Sequence, residues 1–389
     1  MTLHTKIAPK PADPADFDRI LPAITRDFSA TAARFDKEAV FPFENRERLH
    51  ADGLLALTAP KALGGGGADL GSALKVVRAV AKGEPATALA LVMQYLFHRS
   101  ISSSRQGWTD ALKRRVVSEA LSEGALINAL RVEPDLGTPA RGGLPSTIAR
   151  RTPEGWSLSG RKIYSTGSTA LTWMVVWART DDPVPRVGGF LVRKDAPGWH
   201  IEETWDHLGL RASASHDVIF DNTPIPLDYA LDPQPLDAKP VFEPDFAAWA
   251  SVLTAGLYDA VAEAARDWFV NFARNRTPAN LGAPLSSLAR YQEAVGRIDA
   301  LLLSNRALLA AAIAGDASAT EAGLVKHLVT ENAISIVDVA IALSGNPGLV
   351  QSSPLGRHHR DVLCGRIHTP QADVALSAAG RLAFAGTGA

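Results

Sequence analysis

The sequence predicts an α+β protein laid out as helix, sheet, helix, and three observations carry that reading. Apolar residues recur at helical spacing from Phe17 to about Leu121, as in Leu70, Leu74, Val77 and Val80. Near Ala125 the composition changes to short β-branched and aromatic runs separated by turn residues, and this continues to about Pro235. From roughly Phe246 the helical period returns. These shifts divide the chain into an N-terminal helical domain (1–124), a middle, mostly antiparallel β domain (125–235) and a C-terminal helical bundle domain (236–389).

With 389 residues, 46% of them hydrophobic, the chain can bury a large core. Forty basic and forty-one acidic residues leave a formal charge of -1, which gives no electrostatic reason to expect nucleic acid or a membrane surface as partner. A lone cysteine, Cys364, excludes an internal disulfide and a cysteine zinc cluster and favours a reducing compartment. Met1 to Asp16 lacks the pattern of a secretory signal and reads as a loose leader. The alanine-rich stretch Leu301 to Ala314 is interrupted by Ser304, Asn305 and Arg306, and no uninterrupted apolar run long enough to cross a bilayer stands out, so the expected location is cytoplasmic.

Taken in order, Gly64-Gly65-Gly66-Gly67 makes a flexible turn and Asp69 caps the helix after it; the lysine and hydroxyl of a phosphate loop are absent. Ala86 to Phe97 reads as a buried helix leading to His98, which fits either a satisfied structural histidine or a functional one. Strands are expected at Ser146–Arg151, Trp156–Leu158, Trp173–Ala178, Gly189–Val192 and Asp217–Phe220, with turns at Pro153-Glu154-Gly155 and Asp221-Asn222-Thr223-Pro224. Helices follow at Val252–Phe272, Leu285–Ile313 and Glu321–Leu343. Near the end, the helical run from Arg360 breaks at Pro370, just after His368 and Thr369. A β domain set between two helical segments offers a crevice for a flat cofactor.

Four motifs in this order resemble the acyl-CoA dehydrogenase superfamily over about residues 17 to 385. Glu133-Pro134-Asp135-Leu136-Gly137-Thr138 is similar to the family's Glu-Pro-x-x-Gly-Ser turn beside the flavin. Gly160-Arg161-Lys162-Ile163-Tyr164-Ser165-Thr166-Gly167 resembles the segment whose aromatic residue packs on the flavin and whose threonine bonds its reactive edge, which places Tyr164 and Thr166 in those roles. Gly209-Leu210-Arg211-Ala212-Ser213 matches the Gly-x-Arg-x-Ser turn. Arg276, Leu281-Gly282-Ala283-Pro284-Leu285 and Gln292 resemble, with longer spacing, a segment that reaches a neighbouring subunit's FAD. Each also has a plainer reading: Tyr164 as core, Arg211 as an ion-pair partner, the Glu-Pro turn as a turn. The resemblance implies an acyl-CoA dehydrogenase-like fold with a C-terminal four-helix bundle. It also implies a bound flavin (FAD, or FMN supplied reduced by a reductase), contacts at Tyr164, Thr166, Thr138, Arg276 and Gln292, and a homo-oligomer, tetramer or dimer.

The family's Arg-Asp-x-x-x-x-x-x-Tyr-Glu-Gly-Thr aligns without gaps on Arg360, Asp361, His368, Thr369, Pro370 and Gln371, so Thr369 occupies the place of the catalytic glutamate. A threonine hydroxyl is no base at neutral pH, and loss of the carboxylate forfeits about 10²–10⁴-fold of general-base catalysis. Members with the base on an earlier helix would have it at Phe246, followed by an arginine where Ala247 stands; Glu243 and Asp245 are the nearest carboxylates. The flavin monooxygenases that resemble dibenzothiophene monooxygenase and the amino-sugar N-oxygenases lack the glutamate and activate oxygen with hydrogen-bond donors. On that reading His368 is catalytic, with Ser165, His98 and Gln371 as its hydrogen-bonding neighbours, a small-molecule substrate, and a reductase or other electron-transfer partner. His368 as a mere cap of the broken helix is the plainer alternative. An acyl-CoA or acyl-carrier-protein dehydrogenase with a relocated base is the second reading, and a catalytically silent flavin-binding homologue the third.

Overall fold

The computed structural model describes residues 9–101, 107–136, 143–235, 238, 244–315 and 317–385. The first helical region holds α1 (Phe17–Glu38), α2 (Phe43–Ala51), α3 (Leu70–Gly83), α4 (Pro85–Ser100) and α5 (Asp110–Glu123). Local chemistry sets their starts: the Asp69 carboxylate accepts from Ser72 N (2.7 Å), Thr109 caps α5, and Glu84 caps α4 through Ala86 N and Thr87 N. Each cap satisfies amides that the first helical turn leaves without partners.

Eight strands follow: β1 (Leu126–Leu130), β2 (Ile148–Thr152), β3 (Gly155–Lys162), β4 (Leu171–Thr180), β5 (Arg186–Arg193), β6 (Trp199–Glu202), β7 (Asp217–Pro226) and β8 (Ala230–Pro235). They form one sheet in the order β6-β7-β3-β2-β4-β5-β8, with β1 added alongside β4. Only β1 and β2 run parallel to β4; the other pairs are antiparallel. Two details differ from the expected pattern. β1, β6 and β8 carry no alternating signal strong enough to mark them, and Asp221–Pro224 is no turn but the middle of β7. There Asn222 takes φ 52° and donates its amide to Ser159 Oγ (3.0 Å), where the β3–β7 register shifts. An asparagine in a left-handed conformation inside a strand makes a bulge, and its local sequence resembles that of a turn.

The last region contains α6 (Pro244–Asn275), α7 (Ala289–Ile313), α8 (Ala319–Ser344), α9 (Asn346–Leu349), α10 (Pro354–Leu363) and α11 (Ala372–Ala385). α8 is the one helix among the described residues long and apolar enough to span a bilayer by length and composition, and it packs among α6, α7, α10 and α11. Polar contacts tie the first region to the last: Arg78 on α3 pairs with Asp259 and Glu263 of α6, and Asn305 of α7 donates to Asp259 (2.8 Å). Buried charges of this kind are tolerated because they are paired and hydrogen-bonded.

The helix at Arg360 ends earlier than its proline requires. α10 stops at Leu363, Cys364–Arg366 tighten into a 3₁₀ turn, and Pro370 follows in a cis peptide after Thr369. The cause is tertiary. Gly365 lies against the Tyr258 ring, where a Cβ would come within about 2.9 Å of the ring, and Lys326 takes the carbonyls of Gly365 and His368 that a continuing helix would use.

Candidate active site

One wall of the site comes from the sheet. The turn after β3 bends sharply at Tyr164, a non-glycine residue held at φ 56°, and leaves its ring 56% exposed, which excludes a core role. Two residues of the turn after β6 extend this surface. Trp205 and His207 stack with ring centres 4.1 Å apart, and Tyr164 meets both edge-on at 6.4 and 5.9 Å. Trp205 is fixed in turn, its amide donating to His216 Nδ1 (3.1 Å) and its indole N–H to the Leu210 carbonyl (3.3 Å).

Behind this aromatic surface lies a set of hydroxyls. Ser215 Oγ donates to Thr166 Oγ1 (3.1 Å) and lies 2.8 Å from Ser213 Oγ, so Ser213 donates to Ser215 and the Thr166 proton is left to point outward. Ser165 is buried and its Oγ has no hydrogen-bond partner. A buried hydroxyl without a partner costs free energy unless something else satisfies it, so this atom marks a place for a polar ligand atom. Asn128 of β1 holds the loop from below, its Nδ2 donating to the Thr166 carbonyl (3.1 Å).

The second wall is the break after α10, whose His368 lies close enough to His207 for the two imidazoles to repel. His368 is half-buried; the Tyr258 hydroxyl of α6 bonds its Nδ1, and Lys326 of α8 binds its carbonyl at 2.6 Å. Burial foremost, then the positive charge of Lys326 and the nearby His207, push the His368 pKa down to about 4, so the ring is neutral at pH 7. Burial also keeps the Tyr258 hydroxyl protonated, so it donates to Nδ1 and leaves the ring proton on Nε2. His368 therefore orders its ring through a side chain and does not cap the broken helix.

A clamp joins the walls. Arg360 binds both oxygens of Asp36 (3.0 and 2.6 Å) and the Leu208 carbonyl (2.8 Å), while Asp361 accepts from Leu210 N (2.7 Å). Gly209 lies so close to this contact that a Cβ would collide with the Arg360 carbonyl oxygen. Arg211 gives its guanidinium to the carbonyls of Asp36 (2.9 Å) and His207 (3.3 Å), with only a distant carboxylate at Asp206 (3.8 Å). Asp361 is buried, and desolvation raises its pKa to about 7 against the opposing Leu210 bond.

Of the residues singled out in the sequence, Tyr164, Ser165 and Thr166 lie together on the turn after β3, and His368 lies on the break after α10, coupled to the sheet side through His207. His98 does not join them. It is fully buried on α4 against Gln94 (3.2 Å) and near Leu55, because the apolar face of α4 that carries it packs inward on β1. Gln371 donates to the Ile367 carbonyl (3.2 Å), within its own turn. Thr138 and Glu243 fall outside the described residues. Asp245 pairs with Arg99 (3.4 Å) at the start of α6, about 20 Å along the helix from Tyr258, so it is not a carboxylate beside His368. Glu133 proves to be structural: buried, it binds the amides of Ser146 and Thr147 and the ammonium of Lys162 (2.6 Å), so its turn staples the sheet. Arg276 is exposed on a groove of about 500 Å³ that Arg290 and Tyr291 also line, and Gln292 donates to the Ser286 carbonyl (3.1 Å). Tyr258, Lys326, His207, Trp205 and Asn128 were missed.

Family comparison fits this layout. The acyl-CoA dehydrogenase N-terminal domain matches residues 23–123, the middle domain 131–223 and the C-terminal domain 259–371. The chain belongs to the acyl-CoA dehydrogenase family. YdbM, an acyl-CoA dehydrogenase-like protein of Bacillus subtilis, is 34% identical over 365 residues, covering 91% of this chain and 92% of its own. The L-evernosamine nitrososynthase of a Micromonospora species is 29% identical over 90% of this chain and 85% of its own. Among solved structures, KijD3 in complex with FMN and a dTDP-linked amino-keto sugar superimposes with a TM-score of 0.81 at 29% identity, over 97% of this chain and 95% of that one. Within this acyl-CoA dehydrogenase family member, the segment from Arg360 to Gln371 closes the matched C-terminal domain, with Arg360 and Asp361 in the clamp and Thr369 next to His368.

Proposed function

We propose that this acyl-CoA dehydrogenase family member is a flavin-dependent monooxygenase of the two-component type, using flavin reduced by a separate reductase. The observation that carries the reading is the neutral His368 beside Thr369. The groups that act on its ring are Tyr258, Lys326 and His207, and among the described residues no carboxylate is one of them. The residues of the sheet wall fit a flavin, with the Tyr164 ring available to cover one of its faces and the hydroxyls of Thr166 and Ser165 to meet its polar edge. A reduced flavin bound there supplies the electrons that activate O2.

The chain's own contribution is positional. His368 Nε2–H is a donor held by Tyr258 and by the anchored backbone, so it costs no reorganisation when negative charge develops nearby. The KijD3 complex with FMN and a sugar nucleotide, at 29% identity, supports FMN and a small polar substrate in preference to a fatty acyl-CoA. Assembly as a dimer or tetramer, with Arg276 and Gln292 meeting the cofactor of a second copy, belongs to the same proposal.

The test loads the protein with FMN, reduces it without oxygen, and follows hydrogen peroxide release on mixing with aerated buffer. His368→Ala is expected to release peroxide faster by about 10²-fold, the effect of removing one preorganised donor. Equal rates in the two proteins would remove His368 from the oxygen chemistry.

A further inference from the structure

α8 presents Ala322, Lys326, Val329 and Ala333 on one buried face, a stripe in which the lysine is the only charge. Lys326 is 2% exposed, and its ammonium donates to the carbonyls of Gly365 and His368, both at 2.6 Å. Those carbonyls lie on either side of Arg366 and Ile367, so one cation pins both ends of the break. Burying an ammonium is costly unless each donor direction is used, and replacing it by a methionine would leave both carbonyls without this partner. Glu331 favours the charged form of Lys326 from a distance, but both oxygens of that carboxylate are taken by Arg366 (2.8 and 2.6 Å).

We propose that Lys326 is the positioning residue of the active site, fixing the backbone from which His368 projects and keeping a positive charge behind the imidazole so that the ring stays a neutral donor. The inference rests on the reading of His368 as the side chain that meets the reacting group. The charged and titratable groups facing His368 are few: Lys326 from α8, Tyr258 from α6 with its hydroxyl held protonated, and His207 from the sheet wall, itself pushed toward the neutral form by burial. Of these only Lys326 carries a charge at neutral pH, since burial lowers its pKa no further than to about 8. The ammonium is therefore the charge that acts on the ring at neutral pH.

The experiment follows the titration of His368 by NMR in protein labelled with ¹³C at histidine Cε1, assigning the resonance by its loss in His368→Asn. No flavin or substrate is needed, so the result is independent of the peroxide assay that tests the functional proposal. In the wild type the resonance is expected to stay neutral down to about pH 5, given its pKa of about 4. Lys326→Met and Lys326→Gln should raise the midpoint by about one pH unit, a tenfold change in proton affinity. Lys326→Arg, which keeps the charge, should titrate like the wild type. Lys326→Gln retains an amide donor for one carbonyl and so gives the answer even if Lys326→Met does not fold. An unchanged midpoint in the uncharged variants would overturn the proposal.

Discussion

Two stretches only a few residues apart behave in opposite ways. Arg360 and Asp361 commit their polar atoms to Asp36, Leu208 and Leu210, binding the first helical region, the sheet and the bundle into one frame. His368 and Thr369 commit little: the histidine has one side-chain partner, on Nδ1, and Thr369 is exposed. The first pair builds the frame, and the side chains of the second pair take little part in it. Contacts that hold the domains together and the groups we propose to set the reaction are therefore separable, although one short segment carries both. A protein can change its chemistry here without loosening its fold.

The comparison would break most visibly at the clamp. Arg360→Ala leaves the largely buried Asp36 carboxylate and the Leu208 carbonyl without their partner, and we expect a stability loss of about 3 kcal/mol in urea unfolding, the usual cost of removing one side of a buried pair. A loss under about 0.5 kcal/mol would show that the frame does not depend on it. Asp361→Asn gives a smaller, signed effect. The folded-state pKa of about 7 lies above the unfolded value, so the stability linked to this proton is fully present in acid and is lost as pH rises through 7. Asparagine cannot ionise yet can still accept from Leu210 N. The variant should thus gain on the wild type by roughly 1 kcal/mol per pH unit between about pH 4 and 7, and the difference should level off above pH 7. A gap that narrows with pH would contradict the burial of this carboxyl. Smallest of all, His368→Ala should shift the melting midpoint by no more than about 3 °C, since the ring is half-buried and its anchor is its own backbone carbonyl.

Much of the frame was legible in the sequence, and for a physical reason. Arg360, Asp361, Gly209 and Arg211 sit in short motifs with fixed spacing, and their contacts are made by a turn and a helix end that such spacing specifies. The helical regions were legible because apolar periodicity reports burial directly. The site was legible only on the sheet side, where Tyr164, Ser165 and Thr166 are consecutive. Tyr258 and Lys326 reach His368 from helices 110 and 42 residues away, and no local pattern announces such a meeting. Lys326 did leave a trace, as a lone charge at a core position of α8. His98 misled because a histidine at the end of an apolar helix looks the same whether it faces a ligand or, as here, Gln94 and the interior.

The central claim is that the place of the catalytic carboxylate is functionally vacant and that a neutral histidine beside it serves oxygen chemistry. Anaerobic stopped-flow mixing of the flavin-loaded protein with a panel of acyl-CoA esters tests this most directly. The account predicts that the oxidised flavin absorbance persists with every ester, because nothing at Thr369 or His368 takes the α-proton. Rapid bleaching by any acyl-CoA would contradict it.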